Sequence, residues 1–263
     1  MPDNPSSLSD ASIPERGLAK IDPTAEPAAP RSVMTISAHP DDEEFTVAGT
    51  LAKWARAGCA VTVVCITSGD AGSNDPAKDA AYKPELAALR EEEQRAAGAV
   101  IGVKETVFLR HPDGELQHTL ALRRELTRLI RKYKPEAVIC SDPTARFYGN
   151  SYMNHPDHRA AADAACDAVF PSAGTRLIFS ELLAEGWEPH NVKRLYLHGS
   201  EKPDAWIDIA GTIDVKIRAL LCHRSQVGEG EDLDRRMREW AEEDGKPRGL
   251  KYAEAFRVMV LEE

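Results

Sequence analysis

Continuous apolar strand runs, separated by segments with helical periodicity, constrain this chain more than any other feature. Val33-Met34-Thr35-Ile36-Ser37-Ala38 and Ala60 to Thr67 are almost wholly apolar or β-branched, with no polar-out alternation. Both faces of each strand must therefore be covered. Between them, Phe45 to Ala57 repeats its apolar positions at helical spacing and stops at Gly58. A strand, helix, strand unit with buried strands implies a parallel pair joined by a right-handed crossover. The rhythm continues with helices over 85–101, 120–132 and 158–169 and strands over 106–109, 137–140 and 176–180. It loosens after residue 190, where short strands over 193–197 and 205–209 precede helices over 213–222 and 233–243. The expected fold is α/β, with a doubly wound, mostly parallel sheet in three α/β/α layers.

Length is compatible with one large domain, expected over residues 32–263. Residues 1–31 carry Pro2, Pro5, Pro14, Pro23, Pro27 and Pro30 with little hydrophobic periodicity. They read as a proline-rich arm, extended or disordered, or wrapped on the domain or a neighbouring subunit in a homo-oligomer. Lys plus Arg number 33 against 43 Asp plus Glu, a net charge of −10 that disfavours a nucleic-acid partner. No run approaches the roughly 20 apolar residues that span a bilayer, and no basic segment followed by an apolar stretch opens the chain. A soluble cytoplasmic protein with no membrane partner is expected. Cys59, Cys65, Cys140, Cys166 and Cys222 are scattered in apolar patterns, which suggests neither a disulfide framework nor a cysteine zinc site.

Two short segments carry the chemistry: Ala38-His39-Pro40-Asp41-Asp42-Glu43, directly after the first strand, and His155-Pro156-Asp157-His158. Strand ends are where open α/β sheets build their sites. Hydrolytic zinc takes three protein ligands from His and Asp or Glu and leaves a position for water. His39 and Asp42, three residues apart on a turn entering a helix, supply two ligands. The third comes from the second segment, as either His155 or His158. Asp41, beside Asp42 but pointing elsewhere, can stay off the metal and act as general base. A histidine held in one tautomer by a carboxylate, such as His155 with Asp157, suits oxyanion stabilisation and protonation of a leaving amine.

These residues resemble the PIG-L-like, or LmbE-like, zinc-dependent de-N-acetylases. The A-H-P-D-D-E element stands at 38–43 and the H-x-D-H element at 155–158. Thr67-Ser68-Gly69-Asp70, Leu89-Arg90-Glu91-Glu92-Glu93, Pro112-Asp113-Gly114-Glu115-Leu116 and His223-Arg224-Ser225-Gln226 are similar to the family's other segments. The resemblance covers roughly residues 33–226. It implies a Rossmann-like fold, a Zn2+ cofactor and hydrolysis of an acetamide on an N-acetylglucosamine-type sugar or small sugar conjugate. Residue by residue, it implies His39, Asp42 and His158 as zinc ligands and Asp41 as base. It makes His155 the oxyanion-stabilising or acid group, oriented by Asp157, and suggests substrate contacts for Arg90 and His223. Some relatives carry a tyrosine just before the second motif, where this chain has Met153-Asn154; Tyr148 and Tyr152 lie near without matching that register.

Other histidines and loops read more simply. Asp113-Gly114 suits a tight turn, His111, His118, His190 and His198 read as surface or core residues, and Glu229 to Lys246 as a solvated helix and loop. Rival chemistries are a hydratase acting on an unsaturated carboxylic acid, a non-haem iron enzyme with two His and one carboxylate, and a non-catalytic metal binder. Iron triads usually sit on β-rich scaffolds, and a structural site has no use for an unligated carboxylate such as Asp41.

Overall fold

The computed structural model describes residues 25–230 and 232–261. The strands are β1 (Ser32–Ser37), β2 (Ala60–Thr67), β3 (Glu105–His111), β4 (Ala137–Ser141), β5 (Phe147–Tyr148), β6 (Tyr152–Met153), β7 (Arg194–His198), β8 (Ala205–Asp208) and β9 (Ala253–Val260). The helices are α1 (Asp42–Thr46), α2 (Ala48–Arg56), α3 (Lys83–Ile101), α4 (Leu120–Tyr133), α5 (Pro156–Asp167), α6 (Ile213–Leu220), α7 (Arg224–Val227) and α8 (Leu233–Gly245).

Seven strands form one sheet in the order β3-β2-β1-β4-β7-β9-β8, and β5 pairs with β6 in a separate hairpin. From β3 to β7 every pairing is parallel; β9 runs antiparallel to both β7 and β8. Successive strand residues face opposite layers. Val33 joins a core with α2, α3, α6 and α8, whereas Met34 joins a second core with α4 and α5. This is the expected mostly parallel α/β/α architecture. The chain leaves β1 toward β2 on one side and later returns to place β4 on the other, pairing Val33 with Ala137. The β1/β4 junction is therefore the switch point, where a crevice opens beyond the strand ends.

Three local expectations are corrected. Residues 176–180 form no strand. Buried Arg131 donates there to the carbonyls of Thr175 and Ile178 at 2.9 Å, and to those of Ser172 and Ala173 at 3.0 and 3.1 Å. A guanidinium thus satisfies backbone that a neighbouring strand would otherwise pair, and Leu177 is left 85% exposed. The helix expected over 45–57 is two helices, broken at Val47. The freed amides of Gly49 and Thr50 donate to Glu254 of β9 at 3.0 and 2.7 Å, a cap supplied from two hundred residues away. Strand β9 was not expected at all, yet it sits inside the sheet. Of the proline-rich arm, residues 1–24 lie outside the described residues. Glu26 pairs with Lys53 at 2.5 Å and accepts from the Asp208 amide at 3.3 Å. No helix among the described residues is long and apolar enough to cross a membrane.

Candidate active site

Strand β1 delivers Ala38 and His39 to the switch-point crevice, and the chain then turns sharply into α1. Asp42 folds the turn back on itself, its Oδ2 accepting from the amides of Ala38 at 3.1 Å and His39 at 2.9 Å. Asp41 adopts a left-handed backbone at φ 94°, a strained position for a residue with a side chain. Two buried α3 residues hold it: the Asp41 amide donates to Gln94 Oε1 at 2.9 Å, and Arg90 Nη2 donates to Asp41 Oδ2 at 3.0 Å. The side chain makes no helix cap. Burial, opposed by Arg90, lifts the Asp41 pKa to about 6.

The turn after β4 leads to α5, which brings the second segment to the same crevice. His158 Nε2 lies 3.1 Å from His39 Nδ1 and 3.1 Å from Asp42 Oδ1; His39 Nδ1 lies 3.9 Å from Asp42 Oδ2. Donors around a zinc with bonds of about 2.0–2.1 Å are separated by about 3.3 Å, so His39 Nδ1 and His158 Nε2 stand at ligand spacing from each other, while Asp42 approaches them through different oxygens, Oδ1 toward His158 and Oδ2 toward His39. The outer nitrogens point to acceptors: His39 Nε2 lies 2.9 Å from Asp113 Oδ1 and 3.5 Å from Asp157 Oδ2, and His158 Nδ1 lies 3.3 Å from Asn154 Oδ1. Protons on those outer nitrogens leave two lone pairs facing each other on the inner ones. A cation resolves that conflict, and carboxylate-backed histidine is the usual support of a metal ligand. The electrostatics agree. Burial works to lower the His39 pKa, but hydrogen bonds to Asp113 and Asp157 and the charge of Asp42 raise it to about 10. Asp42, despite burial, is held well below the carboxylate range by His158 and His39. Positive charge is in demand here.

Other groupings share this locus. Donors of His39, His155 and His158 lie within 4.8 Å of one another, as do those of His39, Asp113 and Asp157. The structure thus holds a possible metal site centred on His39.

Several site residues are placed differently from expectation. Asp157 does not orient His155 through its carboxylate. That carboxylate, fully buried, accepts from the amides of Gly114 at 2.7 Å and Leu116 at 3.3 Å and backs His39. The Asp157 amide instead donates to His155 Nδ1 at 3.3 Å, which leaves the proton of a neutral ring on Nε2. Burial and the neighbouring His39 and His158 keep the His155 pKa below its ordinary value. Arg90 and His223 are both buried. Arg90 is 4% exposed, with its guanidinium committed to Gly69 O, Pro40 O and Asp41. His223 is fully buried with Nε2 3.3 Å from Glu44 Oε2, without hydrogen-bond geometry.

Asp113 is more than a turn residue. Its Oδ1 meets His39, its Oδ2 accepts from the Ala71 amide at 2.8 Å, and although burial opposes it, His39 helps hold its pKa at about 2. This role was missed from the sequence; the need of a ligating histidine for a carboxylate partner is the signal that could have found it. His198 ends β7 at the same sheet edge and lines the cavity; burial lowers its pKa to about 4.

A cavity of about 800 Å³ adjoins this locus, lined by Asp42 and His158, by Tyr148 and Tyr152 of the β5–β6 hairpin, and by Trp240 of α8. Within the charged segment, Met237, Trp240, Ala241 and Asp244 of α8 line the cavity.

Fold and site define a class: an α/β protein with a cluster of histidines and carboxylates that could hold a metal at the switch point of its sheet. The chain belongs to the PIG-L family, GlcNAc-PI de-N-acetylase, whose model matches residues 34–169. It is 33% identical over 231 residues to the diacetylchitobiose deacetylase of Thermococcus kodakarensis, a match covering 87% of this chain and 83% of that protein. It is 28% identical to the 1D-myo-inositol 2-acetamido-2-deoxy-alpha-D-glucopyranoside deacetylase of Rhodococcus erythropolis, over 76% of this chain and 82% of that one. Among solved structures it resembles the N,N'-diacetylchitobiose deacetylase from Pyrococcus horikoshii in complex with its inhibitor MPG. There the TM-score is 0.80 and the identity 31%, covering 88% of this chain and 84% of the other.

Proposed function

We propose that this chain is a zinc-dependent N-deacetylase that removes acetate from an N-acetylglucosamine-type sugar or small sugar conjugate. The observation that supports this reading is the approach of His39 Nδ1 and Asp42 Oδ1 to His158 Nε2, each at 3.1 Å, with the Asp41 carboxylate held by Arg90 at 3.0 Å. His39, Asp42 and His158 are the ligands. The alternative set of His39, Asp113 and Asp157 uses His39 Nε2, which already stands at hydrogen-bond distance from Asp113, and so describes outer support. Zinc bound there would polarise the acetamide carbonyl and lower the pKa of a water to about 7.

The protein's own groups manage the protons. Asp41, held by Arg90 and Gln94, accepts a proton from the attacking water as oxygen adds to the carbonyl carbon. His155, with its proton on Nε2, donates a hydrogen bond to the developing oxyanion, and the proton that Asp41 took from the water passes to the departing nitrogen as the C–N bond breaks. Acetate and a free amino sugar result. Asp113 and Asp157 fix the His39 ring, and Asn154 fixes that of His158.

Acetate release from N-acetylglucosamine and N,N'-diacetylchitobiose by zinc-loaded protein tests the assignment. Zinc-dependent release is expected. Hydration of an unsaturated dicarboxylic acid with no acetate from either sugar overturns it.

A further inference from the structure

Helix α8 is anchored by Leu233, Met237 and Ala241 in the core and by Arg238, which pairs with Asp214 of α6 at 2.6 Å. Trp240 and Asp244 stand one turn apart, so they share a helix face beside that core stripe. Both line the cavity that Asp42 and His158 also line. Trp240 is 54% exposed, a large aromatic surface that contributes nothing to the core. Lys216, which also lines the cavity, donates from Nζ to Glu254 at 2.6 Å and to Thr46 O at 2.8 Å, and its charge also reaches Asp244. The wall that remains is an indole beside a carboxylate. At about 800 Å³ the cavity is toward the upper end of small-molecule sites, which run from roughly 300 to 1,000 Å³.

We propose that the Trp240 and Asp244 face of α8 is the subsite for a second saccharide ring, the part of the substrate that does not carry the hydrolysed acetamide. This rests on the deacetylase reading above. A pyranose presents weakly positive C–H groups on one face, complementary to the negative face of an indole. Its hydroxyls donate to carboxylates such as Asp244. The subsite selects oligosaccharides and glycosides over a free monosaccharide by adding contacts remote from the reacting bond.

Two readouts test it. The first is the ratio of kcat/KM for acetate release from N,N'-diacetylchitobiose to that from N-acetylglucosamine. In Trp240→Ala this ratio falls by about tenfold or more, in Trp240→Phe most of it returns, and in Asp244→Asn it falls less. The second is intrinsic fluorescence titrated with N,N'-diacetylchitobiose, which quenches saturably in the wild type and loses that quench in Trp240→Phe. An unchanged ratio together with an unchanged quench overturns the subsite. A quench lost with Trp240, in a protein that releases acetate from neither sugar, supports the subsite and refutes the deacetylase reading.

Discussion

Replacing Arg90 with methionine removes the guanidinium that faces Asp41, at 3.0 Å, while keeping most of the buried volume. Burial raises the Asp41 pKa to about 6, and the charge of Arg90 pulls the other way. Loss of that charge therefore moves the pKa further up, by about one to three units for a neighbouring opposite charge. A general base works only as the carboxylate, so activity is present above this pKa and is lost as pH falls through it. With a two-unit shift the ionised fraction at pH 7 drops from about nine-tenths to about one-tenth, a roughly tenfold loss that is regained near pH 9. The assay is the pH profile of kcat/KM for acetate release from pH 5 to 9, with melting temperatures confirming that the variant is folded. The acid limb stands at about pH 6 in the wild type and moves alkaline in Arg90→Met. A uniform fall at every pH, or an acid-ward move, refutes the assignment of Arg90 as the residue that tunes Asp41. Either outcome returns Arg90 to a purely architectural role.

Two further perturbations probe the support of the site. Asp113→Asn weakens the carboxylate behind His39 and lowers zinc affinity by about 10–100-fold in a competitive chelator titration, with the fold intact; unchanged affinity removes Asp113 from the metal's support. Glu254→Ala leaves the Lys216 ammonium buried without its partner and uncaps α2, at a cost of about 3–5 kcal/mol in urea unfolding. A loss below about 1 kcal/mol shows that water reaches the pair.

Much of this arrangement was legible in the residues because the signals were local. The unbroken apolar runs of β1 and β2 give parallel, covered strands, and the strand-to-helix turn at His39 to Asp42 marks the sheet edge. The failures share one cause, a partner distant in sequence. The run over 176–180 carries strand composition, but Arg131 claims its carbonyls from α4. Strand β9 takes its place from pairing with β7 and β8, which no short window contains. In the site, the AHPDDE and HPDH segments named the histidines and aspartates, whereas neither fixes which acceptor each ring meets. Asp157 therefore came out paired with His155, its neighbour in sequence, when its carboxylate backs His39 across the crevice. Arg90 and His223 looked like substrate contacts as charged residues in family-like segments. Burial under Asp41 and beside Glu44 makes them supports instead.

The metal content of Asp41→Asn beside that of His158→Ala, measured by plasma mass spectrometry after gel filtration, separates ligand from base. Asp41→Asn should retain roughly one zinc per chain, as the wild type does, while releasing no acetate; His158→Ala should lose the metal. Zinc lost from Asp41→Asn and kept by His158→Ala would contradict the assignment of these two residues.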